Sequence, residues 1–225
     1  MIVRLFVQSF VWFGGMGVVM FLAAGTVDWP GAWAFLGEMA GLGVVAGLAL
    51  NRHDPALLNE RLRPLAQKDQ PVTDRVLMIV IILLIFGWLA FMGLDAVRFR
   101  WSVVPVWGQV LGGLCIALST GVGYRVMREN SFAAPVVKIQ KERGQTVIST
   151  GPYRHIRHPM YAGGIFFFIG TPLLMGSGWG LAVAPFLFGV LIIRIFIEEK
   201  ALREGLPGYD AYAARVRYRL IPHIW

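Results

Sequence analysis

The chain has 225 residues, 56% hydrophobic and only 15% charged, with a mean hydropathy of +0.62. A water-soluble domain of this size does not carry that balance on its surface, so the composition excludes a soluble globular protein and points to an all-α, polytopic membrane protein. The net charge of +8 does not mark a nucleic-acid binder, because the basic residues cluster between apolar runs, as loops facing an anionic leaflet do.

Crossing a hydrocarbon core of about 30 Å takes about 20 helical residues. Apolar runs of that order stand at roughly 5–27, 31–50, 75–97, 103–127, 160–176 and 179–199, predicting about six spans in a single integral membrane domain, 1–225. The first run has only Arg4 before it and no small-residue cleavage site, and is read as a mature span. In the second, Gly37 with Gly41 and Gly43 with Gly47 predict a close packing face. Glu38 lies deep in the same span, as a polar contact between helices or a substrate contact. In the loop 51–75, Asp54 and Pro55 supply an N-cap and a first-turn proline and Pro64 a stop, which predicts a short interfacial helix over PALLNERLR. Cys115 is the single cysteine and lies in an apolar run, so there is no disulfide framework.

Gly176-Ser177-Gly178 separates the last two runs and is too short for anything but an antiparallel helical hairpin. The final helix is predicted to continue through EEKALREG and stop at Gly205, with Pro207 just beyond. In the tail YDAYAARVRYRLIPHIW, helical spacing puts Tyr209, Tyr212, Val216 and Leu220 on one face and leaves Arg215, Arg217 and Arg219 to meet lipid phosphates. With the N-terminus inside, 18 of the 21 Lys and Arg residues fall in inner segments, against Arg98 and Arg100 outside and Arg194 within the last span. The positive-inside rule therefore predicts both termini at the inner face, which names a leaflet and not an organism; in a bacterial or archaeal inner membrane that face is the cytoplasm.

Polar groups at membrane depth are costly and mark candidate sites. Arg194 and Glu198 are spaced i, i+4, so they share a face on which they pair, grip one polar ligand, or simply snorkel; Glu199 follows. His155 and His158 are three apart, but no further His, Cys or acid stands nearby at metal-ligand spacing, and no metal is expected; His53 and His223 are interfacial and solvated. No GxSxG, Walker or GxGxxG pattern sits between a strand and a helix. The stretch RHPMYAGG is richer. Pro159 suits a first helical turn whose free amides and positive dipole end face the inner interface and welcome a carboxylate or phosphate. His158 and Tyr161 supply polar tips, while Gly163, Gly164 and Gly170 admit close approach. These residues predict an inner-leaflet site for a ligand with an anionic group, without yet specifying a reaction.

VKIQKERGQTVISTGPYRHIRHPMYAGG, a helical hairpin, RIFIEEKAL and GYDAYAARVRYRLIP follow one another in an order that resembles the isoprenylcysteine carboxyl methyltransferase family and its phospholipid N-methyltransferase relatives. The resemblance covers roughly 125–225, with a weaker echo in DPALLNERLRP and almost none in the N-terminal spans of 1–100. It implies an integral membrane methyltransferase using S-adenosylmethionine, with S-adenosylhomocysteine as product. The cofactor would be surrounded by Gln140, Gln145, Thr146, Val147, Ile148, Tyr153, His158, Pro159, Met160 and Tyr161, and completed by Glu198. Arg194 would contact the methyl acceptor, a lipophilic or small apolar molecule entering from the membrane lipids. O-methylation of a carboxyl group and N-methylation of an amine both stay open, and for an amine Glu198 or Glu199 would take the proton. The alternatives are an NADPH-dependent reductase of the sterol-reductase type, whose C-terminal architecture is similar, and a non-catalytic membrane module.

Overall fold

The computed structural model describes residues 1–67 and 70–225, and its described residues form eight α-helices without a β-strand. They are α1 Ile2–Ala24, α2 Pro30–His53, α3 Pro55–Arg61, α4 Val72–Gly93, α5 Val106–Glu129, α6 Pro159–Met175, α7 Gly178–Gly205 and α8 Tyr209–Arg215; α4 runs on into a π-helical turn, Leu94–Phe99. Lys68, counted above among the inner basic residues, lies outside the described residues. Five helices are long and apolar enough to cross a bilayer: α1, α2, α4 with its π turn, α5 and α7. The sixth apolar run folds as α6, a helix of 17 residues, about 25 Å long at 1.5 Å per residue. Large apolar side chains such as Phe10, Leu83, Val103 and Leu114 point outward, as lipid-facing surfaces require.

The short α6 is held by its neighbours. A Cβ placed on Gly112 of α5 would stand 2.3 Å from the Leu174 nitrogen and 2.6 Å from the Gly170 oxygen, so the two helices cross backbone to backbone. Gly163 likewise faces Val122 of α5, at 2.8 Å, whereas Gly164 has nothing within 4 Å. Gly112→Leu is expected to cost about 3 kcal/mol or to prevent folding, since backbone cannot yield as a side chain end does; a heat-challenge and size-exclusion assay in detergent reads it, and an unchanged profile would refute the crossing. The predicted small-residue face of α2 is only partly used. A Cβ built on Gly47 would stand 2.7 Å from Leu5 of α1, but Gly37 and Gly41 are exposed and a Cβ there would meet nothing within 4 Å.

The far end of the bundle is pinned by polar caps. Ser177 caps α7 by accepting the Gly180 amide at 2.9 Å and donates to buried Asp95 at 2.6 Å. Asp95 also accepts from Ser102 at 2.7 Å. The indoles of Trp29 and Trp88 donate to the carbonyls of Met175 and Gly180, at 3.0 and 2.8 Å. These bonds satisfy helix-end groups that lipid cannot. The hairpin of α6 and α7 is thus fixed at its tip, and its open end faces the basic loops.

At that basic end, α3 forms as expected, with Asp54 accepting the Leu57 amide at 2.9 Å. Its Leu57, Leu58 and Leu62 pack on Leu5 of α1 and Leu50 of α2. Tail residues Tyr209, Tyr212 and Val216 pack with Leu206 and Ala213 against Ile139, Val147, Tyr153 and Leu202. The tail therefore folds back onto the protein instead of lying along the membrane.

Candidate active site

A cavity of about 330 Å³ opens at the basic end between α3, the segment 130–148, the start of α6, the last turns of α7, and α8. Gln145, Thr146, Val147 and Ile148 form one wall, His158, Pro159, Met160 and Tyr161 another, and Arg194, Glu198 and Tyr153 complete it. Gln140 is the residue of the expected set that does not line it. Its buried amide donates to the Phe132 carbonyl at 2.9 Å and accepts from Arg143 at 2.6 Å, while its backbone N–H donates to Gln145 Oε1 at 2.7 Å. Gln140 shapes the loop from behind.

Arg194 and Glu198 do not pair directly. The Tyr161 hydroxyl joins them, donating to Glu198 Oε2 at 2.8 Å and accepting from Arg194 at 3.1 Å. Arg194 Nε is held at 3.0 Å by Asp74 Oδ1, and another of its amines donates to the Pro135 carbonyl. Asp74, fully buried in the first turn of α4, also accepts from Gln70 at 2.7 Å and from the Val137 amide at 3.0 Å. This partner was invisible in the sequence: an acid in the first turn of an apolar helix is ordinary dipole chemistry, and its arginine lies 120 residues away. The exposed-end reading of Arg194 is excluded, since its side chain is 12% exposed.

Glu199, adjacent to Glu198, faces away from the cavity. Its buried carboxylate accepts from Arg157 Nε at 2.7 Å and from Arg219 at 3.0 Å, and lies 3.2 Å from His158 Nε2. Arg157 also donates to the carbonyls of Val216 and Arg217, at 2.8 and 3.0 Å, and the Arg157 and His158 amides donate to the tail carbonyls of Tyr218 and Arg219, both at 2.9 Å. These groups are a clamp on the tail. Two expectations are corrected: Arg219 pairs with Glu199 and lies over the rings of Phe196 and Trp225 instead of reaching lipid phosphate, and Glu199 is too heavily engaged by cations to accept a proton. His155 ends a short 3-10 turn and is exposed while His158 is buried, so the two do not share a helical face.

The start of α6 leaves the Met160 and Tyr161 amides beyond the reach of an i−4 acceptor, and both residues line the cavity. At the tail side, Tyr212 donates to the Tyr153 carbonyl at 2.9 Å, and burial pushes its hydroxyl up to about 12. Burial raises Tyr153 and Tyr209 too, so these phenols stay protonated donors at neutral pH. The buried Tyr209 hydroxyl has no hydrogen-bond partner among the described residues. Glu38 sits far from these groups on α2, half-buried, with a carboxylate oxygen 3.4 Å from a Cβ built on Gly113 of α5. It is a contact between helices.

Residues 107–207 match the family model of phospholipid methyltransferases. The protein-S-isoprenylcysteine O-methyltransferase of Saccharomyces cerevisiae is 33% identical over 118 residues, 51% of this chain and 49% of that protein. The protein-S-isoprenylcysteine O-methyltransferase of Schizosaccharomyces pombe is 24% identical over 126 residues, 53% of this chain and 50% of that protein. The chain thus spans about half the length of the curated relatives it matches. Helices, cavity and matches converge: residues 107–207 of this multi-pass membrane protein are similar to the phospholipid methyltransferase family, and about half of the chain is similar to protein-S-isoprenylcysteine O-methyltransferases.

Proposed function

We propose that the protein is an S-adenosylmethionine-dependent methyltransferase acting on a lipophilic acceptor, with its basic end at the cytoplasmic face. The carrying observation is the chain Asp74, Arg194, Tyr161, Glu198, whose last three members line the cavity and fall within residues 107–207, the part that matches the phospholipid methyltransferase model. The cavity suits the cofactor's chemistry. The Met160 and Tyr161 amides and the dipole of α6 favour a carboxylate, Glu198 favours a cationic amine or sulfonium, the phenol rings offer faces to a cation, and the unpartnered Tyr209 hydroxyl awaits a polar group.

S-Adenosylmethionine, when bound, supplies an electrophilic methyl group on a sulfonium. The protein's contribution is position and the exclusion of water. The Tyr161 hydroxyl fixes Glu198 and Arg194 relative to each other, and Asp74 fixes Arg194 to α4. Holding an acceptor oxygen or nitrogen in line is worth about 7–11 kcal/mol. An amine acceptor releases a proton, and Glu198, 30% exposed at its side chain, is the carboxylate open to take it. A lipophilic acceptor reaches these groups from the bilayer while the cofactor enters from water.

Thermal unfolding of the detergent-solubilised protein tests this reading. S-Adenosylhomocysteine is expected to raise the midpoint by mass action on the folded state, NADPH is not, and Glu198→Ala loses the response. Stabilisation by NADPH alone would favour a reductase, and silence toward both in a folded sample would favour a non-catalytic module.

A further inference from the structure

Three arginines line the cavity, and they are not equivalent: Arg157 is neutralised by Glu199 at 2.7 Å. Arg194 is neutralised by Asp74 at 3.0 Å. Arg61, at the end of α3, is half-buried, donates from one amine to the Ala133 carbonyl at 2.8 Å, and forms no ion pair among the described residues. Among the described residues the neighbouring acids are committed elsewhere: Glu60 binds Lys138 at 2.6 Å and Arg63 at 3.1 Å, and Asp54 accepts from Ser131 and the Leu57 amide. Burial lowers the Arg61 guanidinium from its ordinary value, yet a guanidinium keeps its proton and therefore its charge. A half-buried cation with no counter-charge among the described residues is unfavourable. A residue kept in that condition on a cavity wall is matched by what enters the cavity.

Position narrows the ligand. Arg61 hangs from the Ala133 carbonyl and Arg194 from the Pro135 carbonyl, two residues along the same segment, so both stand on the wall facing the start of α6. α3 packs on α1 and α2, two of the helices long and apolar enough to cross a bilayer, which sets Arg61 beside a route open to a lipophilic molecule. We propose that Arg61 binds the oxyanion, carboxylate or phosphate, at the head of a lipid-like acceptor, with the free N–H groups of Arg194 orienting the same head. The assignment rests on the methyltransferase reading and adds a residue from the N-terminal half, in the segment of weaker similarity DPALLNERLRP and outside residues 107–207, to acceptor binding.

Thermal shift and direct binding with two probes test it: S-farnesylcysteine, compared with its methyl ester, and lysophosphatidylethanolamine, compared with a neutral monoacylglycerol. The expected result is that at least one oxyanion-bearing probe stabilises the wild type more than its counterpart without the oxyanion. The preference disappears in Arg61→Gln, returns in part in Arg61→Lys, and S-adenosylhomocysteine affinity is the same in all three. Which probe responds tells a carboxylate head from a phosphate head. No preference for either oxyanion in the wild type, or a preference that survives Arg61→Gln, overturns the proposal while leaving cofactor binding intact. Loss of S-adenosylhomocysteine affinity in Arg61→Gln would overturn it too, by assigning Arg61 to the cofactor's carboxylate. Failure of the wild type to bind S-adenosylhomocysteine instead sinks the methyltransferase reading itself.

Discussion

Glu199→Ala is expected to destabilise the protein by about 3–5 kcal/mol, the range for removing one partner from a buried ionic cluster. Its carboxylate is the shared acceptor of Arg157 and Arg219 and a neighbour of His158, and its side chain is 4% exposed. Without it, two guanidiniums lose their counter-charge at once, and the clamp retains only the carbonyl bonds from Arg157 to residues 213–217 and the backbone bonds from Arg157 and His158 to Tyr218 and Arg219. Brief trypsin treatment should then cut at Arg215, Arg217 or Arg219 before the rest of the chain, with a lowered unfolding midpoint. Glu199→Gln keeps hydrogen bonding and should fall between wild type and alanine. Wild-type protease resistance and midpoint in both variants would show that the tail is held by its apolar face alone.

Asp74→Asn is expected to reduce methyl transfer by about 100-fold, the effect of a displacement of about 1 Å at a reacting group, while S-adenosylhomocysteine binding stays near wild type. Asparagine still accepts from the Val137 amide, as Asp74 does at 3.0 Å, so the loop keeps its anchor. What is lost is the charge that holds Arg194. The guanidinium is then free to swing toward Glu198 and away from the acceptor. A double-mutant cycle with Arg194→Gln separates this from a packing effect: if Asp74 acts through Arg194, the second substitution adds little to the loss of turnover. Additive losses would mean that Asp74 serves only the loop.

The apolar runs, the hairpin, the Asp54 cap and the stop at Gly205 were readable because each is a local pattern with its own physics: run length, turn length, a capping side chain, a helix-ending glycine. The residues around RHPMYAGG were readable as a group because motif order carries over distance. Three features were not. Asp74 and Arg61 stand in segments that look like any helix start or interfacial turn, and their roles come from contacts 120 and 72 positions away. Gln140 was drawn toward the site by loop similarity, whereas its amide satisfies backbone and Arg143 behind the wall. The tail's basic residues suited lipid phosphates by pattern, and nothing local told that Arg157 and Glu199 would gather them inward.

Glu198 and Glu199 are neighbours in sequence, but one meets Tyr161 in the cavity and the other meets the tail clamp. An α-helix turns about 100° per residue, so the two acids point to different arginines and tyrosines, with the His158 ring between them at 4.0 Å from Glu198 and 3.2 Å from Glu199. α7 is therefore locked in rotation from two sides about its own axis. Any insertion or deletion in its upper turns that is not close to a whole number of turns would carry both carboxylates off their partners together, which makes the phase of this one helix the gauge that keeps cavity and tail in step.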